Sequence, residues 1–262
     1  VPKLRFSAEW AQRLLEQALA GVSGDVGVAV IDLGTGAFTG VNPDMAFTAA
    51  SVAKVPIAMA ALNLVSTGRL TLEEPVVYRS ATDYEGGAGS LQFSIREGEA
   101  IPVGYLLDRM IVVSDNIARN MLERYIGSDT IRQYMLSLGV QPPYAASNPQ
   151  MTARGAVQLL TLLDSGQAGI TPELTHRLIG WLSATVFNDR IPARLPPSVT
   201  VAHKVGTLAN EVHDAGLVYA PDRSFAIAVF TQNIPENRAA DLIARLAATM
   251  YGYEDWLVAA GG

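Results

Sequence analysis

The stretch "FTAASVAKVPIAMAALNLV", residues 47–65, carries one charge, Lys54, in an otherwise apolar run, three residues after Ser51. Three readings compete for it. A lysine on an exposed helix edge lays its stem along apolar surface and keeps its ammonium in water. The run from Ala46 to Ser66 is also long enough for a membrane span. Against that, a lysine near the bilayer centre costs roughly 3 kcal/mol on insertion scales, and Pro56 follows closely. The third reading is chemical. Ser51 and Lys54, at i and i+3, face the same way on a helix. Ser51 at the helix start would expose its hydroxyl beside free backbone N–H groups. Pro56 is then tolerated, because the first turn lacks intrahelical N–H bonds. A buried Lys54 would be pushed towards its neutral form and could take the serine proton.

Composition narrows the field. The 262 residues are 49% hydrophobic and 17% charged, which predicts a folded chain with a substantial core. A net charge of −6 offers no basic surface for nucleic acid. With no cysteine, disulfides, cysteine nucleophiles and thiolate metal sites are excluded. The three histidines, His176, His203 and His213, stand in no HExxH pattern, and there is no GxSxG. No metal or organic cofactor is expected, since a serine would supply the covalent chemistry. "GTGAFTG" (34–40) reads as a hairpin turn, because strand rather than helix follows it. The chain opens at Val1 with no basic and apolar leader, which fits an exported protein whose signal peptide has been removed.

The order of elements is informative. Ser7 can cap a helix that places Trp10, Leu14, Leu15 and Leu19 on one face. "VGVAVIDL" (26–33) and "AFTGVN" read as strands around the "GTG" turn. The middle of the chain is mostly helical. The end returns to strands in "SVTVAHKVGTL", "DAGLVYA" and, after a "PDRS" turn, "FAIAVFTQN"; a last helix starts at "ENRAADLIARL". The predicted fold is therefore α/β of the α+β type. An antiparallel sheet is flanked by N- and C-terminal helices, with an all-helical domain inserted. The sheet domain is expected over 1–50 and 185–262, and the helical domain over 51–184.

Two further stretches join Ser51 and Lys54. "SDN" at 114–116 lies between two helical stretches, where any of its residues could serve as an N-cap. "HKVG" at 203–206 lies in a strand, where Lys204 could simply blunt an edge. Taken together and in this order, the three stretches resemble the S-x-x-K, S-D-N and K-T-G signature of the penicillin-recognising acyl-serine enzymes, above all class A β-lactamases. The likeness extends to "GRLTLEEPV" (68–76), "MIVVSDNIARNML" (110–122) and "NDRIPARLP" (188–196). It implies a β-lactamase or DD-peptidase-like fold with a cleft between the two domains. Ser51 would be the nucleophile and Lys54 its base. Ser114, polarised by Lys204, would hand a proton to the leaving nitrogen. Asn116 would orient Lys54 and the substrate amide. The strand Gly206–Thr207 would line the substrate, with the N–H groups of Ser51 and Thr207 as oxyanion hole; losing such a donor costs about 3 kcal/mol in other acyl-transfer enzymes.

The chain departs from that pattern in three places. No Asp or Glu occurs from Thr130 to Leu163, where class A enzymes carry the glutamate that activates the deacylating water; Glu85 in "YEGGAGS" is a conceivable substitute. Val205 replaces the threonine of K-T-G, and "HDAGLV" brings no arginine for a substrate carboxylate. The resemblance implies a β-lactamase-type acyl-serine hydrolase with slow or atypical deacylation. The alternatives are a D-alanyl-D-alanine carboxypeptidase or penicillin-binding protein, a sensor that keeps its acyl group, and an esterase. The expected substrate is a small β-lactam or a D-Ala-D-Ala-like peptide, with no nucleic acid and no membrane span, acting as a monomer outside the cytoplasm. A Ser-His-Asp site built on His213 and Asp214 is disfavoured, because adjacent strand residues face opposite ways. His176 reads as a surface residue, His203 as a packing histidine, and Arg190 and Arg194 as partners in structural ion pairs.

Overall fold

The computed structural model describes residues 6–142, 144–221 and 223–261. In chain order the elements are α1 (Ala8–Leu19), β1 (Asp25–Asp32), β2 (Phe38–Val41), β3 (Ala46–Thr48), a 3₁₀ turn (Ala50–Ala53) and α2 (Lys54–Ser66). Next come β4 (Pro75–Val77), α3 (Ser80–Asp83), a 3₁₀ turn (Leu91–Phe93), β5 (Ala100–Pro102), α4 (Val103–Val112), α5 (Asn116–Ile126) and α6 (Ser128–Ser137). The chain closes with β6 (Gln150–Thr152), α7 (Ala153–Asp164), α8 (Pro172–Ser183), a 3₁₀ turn (Ile191–Arg194), β7 (Thr200–Leu208), β8 (Glu211–Tyr219), β9 (Phe225–Gln232) and α9 (Glu236–Gly261). Asp222 of the expected "PDRS" turn lies outside the described residues.

Two compact units result: Val1–Val52 with Met151–Thr161 and Phe187–Gly262, and Ala53–Gln150 with Leu162–Val186. The sequence draws its boundaries at 50/51 and 184/185 and treats the insertion as continuous, whereas the compact units divide at 52/53 and 186/187 and give Met151–Thr161 to the sheet-bearing unit.

In that unit the five strands run in the order β2-β1-β9-β8-β7, each pair antiparallel. Because side chains alternate along a strand, the register fixes the two faces. The line Val28, Val229, Asp214, Val205 lies on one face. The line Ala29, Ala228, Ala215, Lys204 lies on the other. α1 and α9 cover the first face, where Leu15, Val28, Ile227, Val229, Leu242, Leu246 and Met250 form one core. Each such side chain, fully buried, contributes about 1.5–3 kcal/mol. Ser7 caps α1, its hydroxyl accepting from Trp10 N at 3.3 Å. Trp10 itself is 51% exposed, so the buried line of α1 is Ala11 and Leu15 rather than the face expected through Trp10.

The helical unit is organised around α2, of which ten residues are buried, Lys54 among them. A helix apolar on all sides is a core helix, and this accounts for the run that resembles a membrane span. Among the described residues no helix is long and apolar enough to cross a membrane. α4, α5, α6 and α8 pack against α2, and β4 pairs with β5.

Candidate active site

The sheet-bearing unit holds Ser51 on the 3₁₀ turn that precedes α2. The expected helix start is therefore a tighter turn, and α2 proper begins at Lys54 with Pro56 in its first turn. Gly206 explains how this turn meets β7. A Cβ on Gly206 would lie 3.0 Å from Ala50 Cβ, 3.1 Å from Ala49 O and 3.2 Å from Ser51 N. Only glycine allows so close a backbone approach without displacement. Lys204 is fully buried on the same face of β7; its Nζ donates to Val205 O at 3.0 Å and stands 5.9 Å from the centre of the Phe187 ring. Val205 points to the helix-covered face and is buried.

A hydroxyl is nevertheless supplied two residues later. Thr207 Oγ1 accepts from Arg190 Nη2 at 2.6 Å, while Nη1 donates to Gly206 O at 2.8 Å and His213 O at 2.6 Å. Arg190 has the expected carboxylate partner, its Nε 3.8 Å from the mostly exposed Asp189 Oδ1, but its shorter bonds, from Nη1 and Nη2, go to neutral oxygens. Arg194 does form the expected pair, with Asp241 at 2.6 Å.

Both histidines of this region are structural. His213 Nδ1 accepts from Thr231 N at 3.2 Å and Nε2 donates to Thr48 O at 2.9 Å, so neither nitrogen is left for a proton transfer. Burial depresses its pKa to about 4, against the smaller opposing effect of its backbone bonds. Asp214 turns away from it to His203, with Nδ1 at 2.9 Å from both carboxylate oxygens, and accepts from Ile191 N at 3.0 Å. A Ser-His-Asp arrangement through His213 and Asp214 is thus absent. His176 is exposed on α8, as expected.

The helical unit holds Lys54, Ser114 and Asn116 together. Lys54 is 3% exposed. Its Nζ donates to Ser114 O at 2.7 Å, Ser114 Oγ at 3.1 Å and Asn116 Oδ1 at 2.7 Å. Ser114 takes φ +57, an uncommon conformation for a residue with a side chain. Burial lowers the Lys54 pKa to about 7, helped by Arg119 and opposed by Glu85 and Asp115. Near neutrality a large fraction is therefore the free amine, which a proton acceptor requires.

Asp115 fixes this arrangement from outside. As N-cap of α5 its Oδ1 accepts from Ala118 N at 3.0 Å, and its Oδ2 accepts from Ser90 N at 2.7 Å and Leu91 N at 2.9 Å. Asn116 adds two ties to the same segment, its N donating to Ala88 O at 3.2 Å and its Nδ2 to Gly86 O at 3.0 Å. The sequence identifies Asp115 as a possible cap but carries no sign of its bonds to Ser90 and Leu91. The expected segment of class A carboxylates, 139–152, has none; Pro143 in it lies outside the described residues. Among the described residues no group of three or more His, Cys, Asp or Glu side chains could hold a metal ion.

A family model described as the beta-lactamase enzyme family matches residues 10–253. The extended-spectrum beta-lactamase PER-1 of Pseudomonas aeruginosa is 27% identical, over 92% of this chain and 86% of its own. The structure of PBP-A superposes with a TM-score of 0.88 at 26% identity, covering 97% of this chain and 98% of that one. A mutant of PBP-A, solved as an acyl-enzyme complex with penicillin G, gives 0.86 at 26% identity, covering 97% and 99%.

Proposed function

The chain belongs to the beta-lactamase enzyme family and is an acyl-serine hydrolase; from that premise we propose that Ser51 is its nucleophile and that β-lactams, or D-alanyl-D-alanine-like amides, are its substrates. The supporting observation is the state of Lys54: buried, bonded to Ser114 and Asn116, and with a pKa lowered to about 7. In the proposed reaction Ser51 Oγ attacks the carbonyl carbon as its proton passes to Lys54. The N–H groups of Ser51 and Thr207 stabilise the oxyanion. The C–N bond then breaks, and the nitrogen leaves with the Ser114 proton, which Lys54 replaces; Lys204 favours this transfer by its charge. Asn116 orients Lys54 and the substrate amide. Arg190, holding the Thr207 hydroxyl, supplies the charge for a substrate carboxylate that Val205 cannot bind.

Water then releases the acyl group. With no carboxylate from Thr130 to Leu163, deacylation is the slow step. The same absence favours a second reading, a penicillin-binding D-alanyl-D-alanine peptidase that β-lactams acylate and inhibit. We place either activity outside the cytoplasm, as a monomer. The test is intact-protein mass after mixing with penicillin G, alongside turnover of a chromogenic cephalosporin. A lasting adduct on Ser51 that Ser51→Ala abolishes supports the penicillin-binding form. Sustained turnover supports the β-lactamase form. Neither adduct nor turnover overturns the proposal.

A further inference from the structure

Arg119 and Glu85 stand just behind the oxygens that hold Lys54, and no step above uses them. Asn116 opens α5 and Arg119 follows it by one turn, so the two side chains leave the same side of the helix. Glu85 directly precedes Gly86, whose carbonyl binds Asn116 Nδ2. Glu85 Oε2 accepts from Asn120 Nδ2 at 2.9 Å and lies 3.8 Å from Arg119 Nη1. Arg119 Nε is 3.1 Å from Glu123 Oε2 on its other side. Both residues line an open polar groove of about 480 Å³, together with Asn120, Glu123 and Arg124.

We propose that Arg119 and Glu85 are positioning residues with opposed effects on acylation: Arg119 keeps Lys54 in the neutral form that accepts the Ser51 proton, and Glu85 restrains it. This rests on the reading of Lys54 as the base. The oxygens around Lys54 in this unit, Ser114 O, Ser114 Oγ and Asn116 Oδ1, are all uncharged. Fixed charges one layer further out therefore weigh on its protonation, Arg119 more than Glu85, because the Arg119 side chain is 22% exposed and that of Glu85 48%, and solvent screens the more exposed charge more. Asp115 favours the ammonium, but its oxygens are already engaged by three backbone N–H groups. On α4, Asp108 and Arg109 neutralise each other. Glu123 partners Arg119 at 3.1 Å but stands a turn further along α5 from Asn116, so it tempers Arg119 without replacing it. Arg119 and Glu85 are the charges that flank Asn116 and its partner segment, and both act on Lys54 with the required signs. Removing Arg119 also releases Glu85 from its cation, and removing Glu85 unmasks Arg119. Each loss reinforces its own direction.

The experiment follows the rate of Ser51 acylation by penicillin G, by intact mass, across the neutral pH range. The wild-type midpoint is expected near 7. Arg119→Gln should raise it by about half a pH unit and Glu85→Gln should lower it by less, as charges acting through partly solvated protein do. Arg119→Lys should restore the wild-type midpoint. A role in folding alone would not move the midpoints in opposite directions. A parallel titration of the Lys54 Cε resonance by NMR reads the same midpoints without substrate. Missing adduct on the wild type would therefore overturn the acylation reading separately. Shifts of the same sign, or curves that superpose on the wild type by NMR, overturn this inference.

Discussion

Lys54 and Arg190 are both 3% exposed, and the side-chain hydrogen bonds of both go to neutral oxygens. Lys54 bonds to a carbonyl, a hydroxyl and an amide oxygen in the helical unit. Arg190 bonds to two carbonyls and a hydroxyl in the sheet-bearing unit. The surroundings match, but the cations do not. An ammonium can shed its proton when water is withdrawn, whereas a guanidinium keeps its charge in proteins. Similar surroundings therefore leave a cation that can titrate near neutrality in one unit and a permanent charge in the other. At Arg190 that charge ties β7 to β8 and orients the Thr207 hydroxyl. Burial alone does not decide what a cation does; its capacity to titrate decides.

Making Lys54 unable to titrate should have the largest effect. Lys54→Arg is expected to slow acylation by penicillin G about a thousandfold or more, the scale of a lost general base; intact-mass kinetics would show it. Undiminished acylation would break the comparison. The reverse exchange is milder. Arg190→Lys loses the forked geometry and leaves a buried carbonyl or hydroxyl unpaired, for a loss of about 2 kcal/mol in urea unfolding. Acylation should slow as Thr207 loosens.

The pH profile sharpens the contrast further. Wild-type acylation should rise with pH up to about 7 and then level off, because the neutral amine is the active form. A buried acid in the sheet-bearing unit should give the smallest effect. Glu254 is 1% exposed, and burial, with Asp32 adding to it, raises its pKa from 4.5 to about 7. The folded form therefore holds a proton that the unfolded chain has lost, and stability falls as pH rises from about 4.5 to about 7. Glu254→Gln should remove that fall. Its melting temperature should exceed the wild type's by a few degrees above neutrality, and the gap should close in acid. Calorimetry at several pH values measures it.

The sequence was legible where chemistry is local. Ser51 and Lys54 are three residues apart, S-D-N is contiguous, and Val- and Ile-rich runs identify the strands around Lys204. Distant pairings were not legible. That Asp214 turns to His203 rather than His213 follows from the β7–β8 register, which fixes which side chains share a face. Arg190 does pair with its sequence neighbour Asp189, but its shorter bonds to Gly206 O and His213 O were not legible, because backbone carbonyls leave no mark in a sequence. Trp10 was misplaced because apolar spacing gives a face but not its edge; the buried stripe of α1 is centred one position further on.

Gly89 sits at φ +104, where a Cβ would come within 2.3 Å of the Asp115 carboxylate. The S-D-N motif is thus one half of a lock whose other half, at Ser90, lies 25 residues upstream of Asp115. In evolutionary terms the two halves form one unit of inheritance. A lineage can lengthen or decorate the loops on either side, but it cannot replace this glycine without also giving up the aspartate that ties the two segments together. Where related chains replace this glycine, they should also have lost the aspartate.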